Sequence, residues 1–242
     1  MIVGLLHPGE MGAAVGNALV TAGHDVLWAS DGRSDATRAR AGAFRDMRSV
    51  ERVAEEAAVV FSVVPPHAAV DVARALPPFD GIYVDANAIA PATAREVAAT
   101  VARFVDGGIV GAPPAPRLYL SGEEAAAVAG LFTGSAIETE LVESASALKC
   151  AYAAWTKGTS ALVLAVRDFA RAEGVEAALV EEWSRSQPQL AERLAAAERS
   201  AAKKGWRWVG EMEEIARAFA DAGLPRGFHE AAADIYRRDE SV

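Results

Sequence analysis

The chain is predicted to be an α/β protein: a doubly wound, mostly parallel sheet with helices on both faces forms the N-terminal part, and the C-terminal part is all helix. Three observations predict this. Short apolar runs alternate with amphipathic helical patterns from Ile2 to about Glu143, and that alternation builds parallel βαβ units. Strand signals then cease, and apolar residues recur at helical spacing from Ala145 to Glu173. A turn containing two glycines, Gly9 and Gly12, follows the first strand and opens the first helix.

Taken in order, strands are expected at Ile2–Leu6, Val26–Ala29, Val59–Val64, Ile82–Asp85 and Phe104–Asp106. Helices are expected between them at Met11–Ala22, Val50–Glu56, Ala68–Leu76 and Pro91–Ala102. Gly23, Pro65-Pro66 and Pro77-Pro78 punctuate these elements, as residues that stop helices and start turns do. Arg117–Ser121 and Glu138–Val142 read as strands flanking a helix at Glu123–Phe132. Leu148, Tyr152, Trp155, Leu162, Val166 and Phe169 then mark one helix of ~29 residues, about 44 Å long. Further helices are expected at Ala177–Ser184, Gln189–Arg199, Gly210–Ala222 and Gly227–Arg237, with Gly223 and Pro225 as a stop signal. The domain boundary is placed after Glu143, giving domains of residues 1–143 and 144–242.

Composition narrows the function. Of the 242 residues 52% are hydrophobic, enough for a sizeable core. The net charge of −9 repels phosphate backbones, so neither nucleic acid nor an anionic membrane is an expected partner. Affinity for a phosphorylated ligand must come from a local site. The single cysteine, Cys150, forms no internal disulfide, and its Ala-rich surroundings read as core; a reducing cytoplasm is the expected location. His7, His24, His67 and His229 show no metal-ligand spacing, so no metal site is expected. No apolar stretch reaches the ~20 residues that span a bilayer, and Met1-Ile2-Val3 leads straight into a strand, so no signal peptide is expected.

The turn after the first strand is His7-Pro8-Gly9-Glu10-Met11-Gly12. Gly9 and Gly12 match the second and third glycines of the dinucleotide fingerprint: one admits the pyrophosphate to the backbone, the other lets helix and strand pack closely. A helix beginning near Glu10 aims its free N–H groups at the phosphates. His7 replaces the first glycine of the fingerprint. The second strand runs into Ser30-Asp31-Gly32-Arg33-Ser34. An acid at this point binds the ribose hydroxyls of NAD, whereas arginine suits the 2′-phosphate of NADP. Ser30, Arg33 and Ser34 form a phosphate cup that favours NADP, while Asp31 keeps NAD possible. The N-terminal domain is therefore expected to be a Rossmann-type dinucleotide-binding domain.

The run from Gly4 to His24, with Gly9-Glu10-Met11-Gly12 and Ala22-Gly23-His24, resembles the β-hydroxyacid dehydrogenases. That superfamily includes phosphogluconate dehydrogenase and the imine reductases, and the chain looks like one of its less characterised branches. The resemblance covers most of the chain. It implies a Rossmann domain, a long interdomain helix and an all-helical domain that dimerises. It places Val64, Pro65 and Pro66 in the loop beside the cofactor and Lys149 as the family's lysine, and sets Asn87-Ala88 where the family has Ser-Thr. Asn87 follows a strand end, where ligands bind in open α/β sheets, and is expected to hold the substrate or the nicotinamide amide. Val110-Gly111-Ala112 stands where the family has the Ser-Gly-Gly that holds a substrate carboxylate, Tyr152 where it has asparagine, and Glu211 where a later lysine approaches the cofactor.

Hydride transfer to a carbonyl leaves an alkoxide that needs a proton, and the reverse reaction needs a base. Lys149 lies among Ala147, Leu148, Cys150 and Ala151, and shares a helical face with Tyr152. The expected protein is an NADP-preferring oxidoreductase acting on a small carbonyl or alcohol. Lys149 serves as acid/base, Tyr152 donates to or relays for it, and Asn87, Val110 and Gly111 meet the substrate. Imine reduction on the same scaffold and a cofactor-binding sensor without turnover are the alternatives. A homodimer through the C-terminal helices is expected.

Overall fold

The computed structural model describes residues 1–238 and divides into two compact units, Met1–Lys149 and Cys150–Val242. The division falls at Lys149 rather than after Glu143, so the first turn of the long helix belongs to the first unit.

The first unit is built on one eight-stranded sheet. Its strands are β1 (Ile2–Leu5), β2 (Asp25–Trp28), β3 (Arg45–Asp46), β4 (Val59–Ser62), β5 (Ile82–Asp85), β6 (Arg103–Val110), β7 (Arg117–Ser121) and β8 (Glu138–Leu141), in the spatial order β3-β2-β1-β4-β5-β6-β7-β8. Pairing is parallel from β3 through β6, antiparallel between β6 and β7, and parallel again at β8. From β1 the chain winds outward to β3, then returns to β4 and winds the other way. The order therefore reverses between β1 and β4, and open α/β sheets bind ligands at that switch point.

The helices of this unit are α1 (Glu10–Thr21), α2 (Asp35–Arg40), α3 (Val50–Glu56), α4 (Ala69–Arg74), α5 (Pro91–Ala98) and α6 (Ala125–Gly130). Side chains alternate between the two faces of the strands. On β4, Val59 and Phe61 join a core with Leu5, Val15, Leu19 and Trp28, while Val60 joins another with Leu6, Leu27, Val53 and Tyr83. Burial on both faces explains the near-continuous apolar runs. The sequence reading missed α2 and β3. Neither contains a buried residue, so neither carries an apolar period. It also stopped the fifth predicted strand at Asp106, whereas β6 continues through Gly107-Gly108 to Val110.

The second unit holds the rest of α7 (Ala145–Ala172) together with α8 (Glu176–Ser186), α9 (Gln189–Asp221) and α10 (Gly227–Arg238). The two helices expected at Gln189–Arg199 and Gly210–Ala222 are one helix of 33 residues. Its buried residues Ala197, Ala201, Gly205, Met212, Ile215 and Ala216 keep a helical period throughout. That continuous stripe outweighs the weak helix propensity of Gly205 and Gly210. Leu164, Met212, Ile215, Ala233 and Tyr236 centre the core of the unit, and the Tyr236 hydroxyl donates to the Lys157 carbonyl over 2.6 Å. Among the described residues no helix is long and apolar enough to cross a membrane.

Candidate functional site

The β1–α1 turn lies at the switch point. Gly9 precedes α1 in an extended conformation that any residue adopts (φ −68°, ψ −169°), and no side chain caps the helix there. A Cβ on Gly9 meets nothing within 4 Å. The protein's own packing therefore does not require glycine here; the space is open for an approaching group. Gly12 is required by packing, because a Cβ there would lie 2.2 Å from the His7 carbonyl oxygen. This is the close helix–strand approach expected of the fingerprint's third glycine. The Gly9 N–H is turned to the His7 carbonyl at 2.9 Å, and no side chain caps the first turn of α1, the kind of helix start that suits an anion. Pro8 is buried, Met11 half-buried, and Glu10 exposed at the rim.

The loop after β2 completes one side. Ser30 is 1% exposed. Arg38, which the sequence reading did not single out, braces this loop by donating to the Ser30 carbonyl at 2.7 Å and to the Arg33 carbonyl at 3.3 Å. Arg33 is half-buried and its Nε has no hydrogen-bond partner. Burial lowers its pKa. Ser34 spends its oxygen as the N-cap of α2, accepting from the Thr37 N–H at 3.3 Å, so this member of the predicted cup also has a structural role. Asp31 lies 3.5 Å from Arg48 on the exposed side of the loop, which offsets its charge. The His7 ring is held neutral: burial, and after it the charge of Arg33, pull its pKa to about 4.

The ends of β4 and β5 are tied by Asn87, which the sequence reading placed against the substrate. Asn87 is 2% exposed and its side chain is fully used. Its oxygen accepts from the Val64 N–H at 2.5 Å, and its amide nitrogen donates to Asp85 at 2.7 Å and Ser62 at 3.3 Å. It therefore fixes the Val64-Pro65-Pro66 loop instead of presenting a free amide. Asp85 accepts from the Asn87 N–H as well, at 3.0 Å. Burial pushes the Asp85 carboxyl up to about 7, the hydrogen bonds from Asn87 oppose the shift, and the neighbouring Asp106 adds to it.

Asp106, on β6, anchors the start of α7. Its carboxylate accepts from the Ser146 N–H at 2.9 Å, the Ser146 hydroxyl at 2.8 Å and the Ser121 hydroxyl at 3.2 Å, and Ser121 accepts from the Ala145 N–H at 3.0 Å. A carboxylate suits a helix N-terminus, where N–H groups are unsatisfied and the dipole is positive. Gly108 makes the approach possible, since a Cβ there would lie 2.7 Å from the Ala145 carbonyl oxygen and 3.2 Å from the Lys149 Cβ. Lys149 is thereby held over the end of β6, with Nζ donating to the Ile109 carbonyl at 2.6 Å. The next residues, Val110 and Gly111, form the strand end; Val110 is 2% exposed and Gly111 has φ +102°. Asp106, Ser121 and Ser146 escaped the sequence reading. Their partners lie 15 to 40 residues apart, beyond any local pattern.

Within the second unit, Tyr152 is 44% exposed on α7. Lys157 forms an ion pair with Glu211, both largely buried, and lies 5.7 Å from the Trp208 ring. Glu211 thus has a local cationic partner where the family's later lysine would stand.

A family model described as NADP oxidoreductase, coenzyme F420-dependent, matches residues 2–88. A second, a domain of unknown function, DUF1932, matches residues 170–238. Among solved structures, a conserved protein of unknown function described as structurally similar to 3-hydroxyacid dehydrogenases is 27% identical with a TM-score of 0.74, covering 100% of this chain and 97% of that one. The Mycobacterium tuberculosis 3-hydroxyisobutyrate dehydrogenase with L-serine is 20% identical, TM-score 0.71, covering 99% and 94%. The Aspergillus terreus reductive aminase in complex with NADPH and ethyl levulinate is 17% identical, TM-score 0.58, covering 99% and 93%. No curated protein matches the chain. Together these findings make the N-terminal part similar to NADP oxidoreductases and the fold that of the 3-hydroxyacid dehydrogenases, in line with an NAD(P)-dependent oxidoreductase.

Proposed function

We propose that the chain transfers hydride between NADP(H) and a small carbonyl or alcohol, with Lys149 as the acid/base. The observation that carries this reading is the placement of Lys149. A buried carboxylate anchor, a glycine in β6 and a hydrogen bond to Ile109 hold its amine at the C-terminal end of a strand in the cofactor-binding sheet. The residues of the first unit fit a dinucleotide: open space at Gly9, a helix start without a side-chain cap, and unpartnered nitrogens on His7 and Arg33. Bound there, the nicotinamide supplies or accepts the hydride. Lys149 gives a proton to the substrate oxygen as a carbonyl is reduced, or takes it as an alcohol is oxidised. Tyr152, one turn further along α7, orients the substrate oxygen or relays the proton. Val64, Pro65 and Pro66 wall the cofactor, and Asn87 fixes that loop. Val110 and Gly111 meet the substrate with an apolar strand end. The experiment is NADPH oxidation across aldehydes, keto acids and cyclic imines; turnover of a carbonyl supports the reading, and no turnover of any of them contradicts it. Imine reduction is the second reading, favoured by buried Val110 in place of a carboxylate-binding serine.

The preference for NADP over NAD rests on Arg33. Replacing Arg33 with alanine is expected to weaken NADPH by about 1.5–3 kcal/mol, the value of a charged hydrogen bond, and to leave NADH unaffected. Titration of both cofactors by fluorescence checks this; equal affinities in the wild type would overturn the preference and give Asp31 the main role.

The chain is further proposed to be a cytoplasmic homodimer, and Cys150, buried and in no disulfide, suits a reducing compartment. Trp155, Leu162, Val166 and Phe169 form an exposed stripe on α7, and with Phe228 of α10 they are 36–79% exposed. Trp155, Leu162 and Phe228 also border an apolar cleft of about 900 Å³. Apolar surface of this extent normally has a partner. A symmetric dimer burying more than ~2,000 Å² would cover it. Light scattering should give twice the 25.3 kDa of the monomer; a stable monomer at micromolar concentration would contradict the assignment.

A further inference from the structure

The proposed cofactor seat carries a histidine where the fingerprint has its first glycine, and no role has yet been given to its protonation. His7 Nδ1 and Arg33 Nε are both buried and both lack a hydrogen-bond partner. Buried polar groups are nearly always paired, so two such nitrogens at one site call for an explanation. Arg33 is near enough for its charge to act on the His7 ring. The seat is therefore lined by one fixed cation and one imidazole that is neutral while nothing negative is bound.

The other charges around the seat are already engaged or stand at its rim. Arg38 is committed to the carbonyls of Ser30 and Arg33. Asp31 is paired with Arg48, and Asp46 accepts from the Arg48 N–H at 2.8 Å. Glu10 is exposed in the first turn of α1, and His67 is exposed in the turn after β4. Among the described residues, burial and the Arg33 charge are what act on the His7 ring; a compensating negative charge would arrive with a ligand.

We propose that His7 and Arg33 form a proton-coupled clamp for the 2′-phosphate of the cofactor, in which phosphate binding makes His7 take up a proton from solvent. This deepens the NADP reading above and rests on it. The protonated ring then donates to the phosphate, as the Arg33 guanidinium does. No other bond is made or broken.

The sign follows from the site. The free ring protonates only near pH 4, and an adjacent phosphate raises that value because it favours the charged form. Between the free and bound values each binding event absorbs up to one proton, so affinity falls as pH rises, at most tenfold per pH unit. The phosphate itself protonates with a pKa of about 6, and that opposes binding on the acid side. The effect is therefore read above pH 6.5.

Calorimetry of NADPH and NADH binding, in buffers of differing ionisation enthalpy, measures the proton directly. The wild type should absorb a large fraction of one proton with NADPH and little with NADH. His7→Asn should bind NADPH with no uptake and without the pH slope; His7→Gly, which restores the fingerprint glycine, should do the same. NADPH binding more tightly than NADH with no uptake overturns the clamp and leaves the NADP preference standing. Equal affinity for the two cofactors overturns both. Equal uptake with NADH assigns the proton to the pyrophosphate and overturns the 2′-phosphate clamp, as does unchanged uptake in either His7 variant.

Discussion

Lys149→Met is expected to lower turnover by about 10²–10⁴-fold, the usual contribution of a general acid/base, while NADPH affinity stays near that of the wild type. The two readouts separate because the proposed cofactor contacts lie at the β1–α1 turn and the loop after β2, whereas Lys149 stands at the end of β6. Methionine keeps most of the stem and removes the amine, so packing against Gly108 is retained. The lysine's anchor at Asp106 involves the backbone and hydroxyl of Ser146 rather than the amine, and α7 should stay in place. Lys157, eight residues along the same helix, is a poor control. Its ion pair with Glu211 is largely buried, and removing one partner strands the other charge. Lys149→Arg serves better, since it retains the positive charge but not a group able to release its proton near neutral pH. Steady-state kinetics on the substrate found by the panel, paired with cofactor titration, gives both numbers. Full activity in Lys149→Met would make the lysine structural and move the proton transfer to Tyr152 or elsewhere.

The sequence showed the fold through its strongest periodicities. Parallel strands buried on both faces appear as uninterrupted apolar runs, and the turn at Gly9 and Gly12 locates the first crossover. What it concealed follows physical lines. The helix α2 and the strand β3 bury nothing, so they leave no period. The break expected between Arg199 and Gly210 does not occur, because the buried stripe of α9 runs through Gly205 to Met212 and Ile215. The local geometry was legible where one residue type does one job, as at Gly12, whose close contact with the His7 carbonyl leaves no room for a side chain. It was less legible where function depends on partners. Asn87 has the right position, but its amide is consumed by Val64, Asp85 and Ser62. Asp106 looked like the end of a strand, and only its contact with Ser146, 40 residues on, reveals it as the anchor of α7.

Cofactor binding at the β1–α1 turn underlies every functional step above, and Gly9 allows it to be tested without disturbing the fold. The residue has an ordinary φ of −68°, and its Cβ position is empty of protein. Aspartate is a better helix N-cap than glycine, so Gly9→Asp should melt at or above the wild-type temperature. Its carboxylate would stand where the phosphates approach the helix end. Two like charges about 4 Å apart near a protein surface repel by roughly 4 kcal/mol, on the order of a thousandfold in affinity. Titration of NADPH into the wild type and Gly9→Asp, followed by nucleotide fluorescence, should therefore show binding in the first and its loss in the second, with thermal stability retained. A Gly9→Asp protein that binds NADPH as tightly as the wild type would show that the cofactor does not sit at this turn.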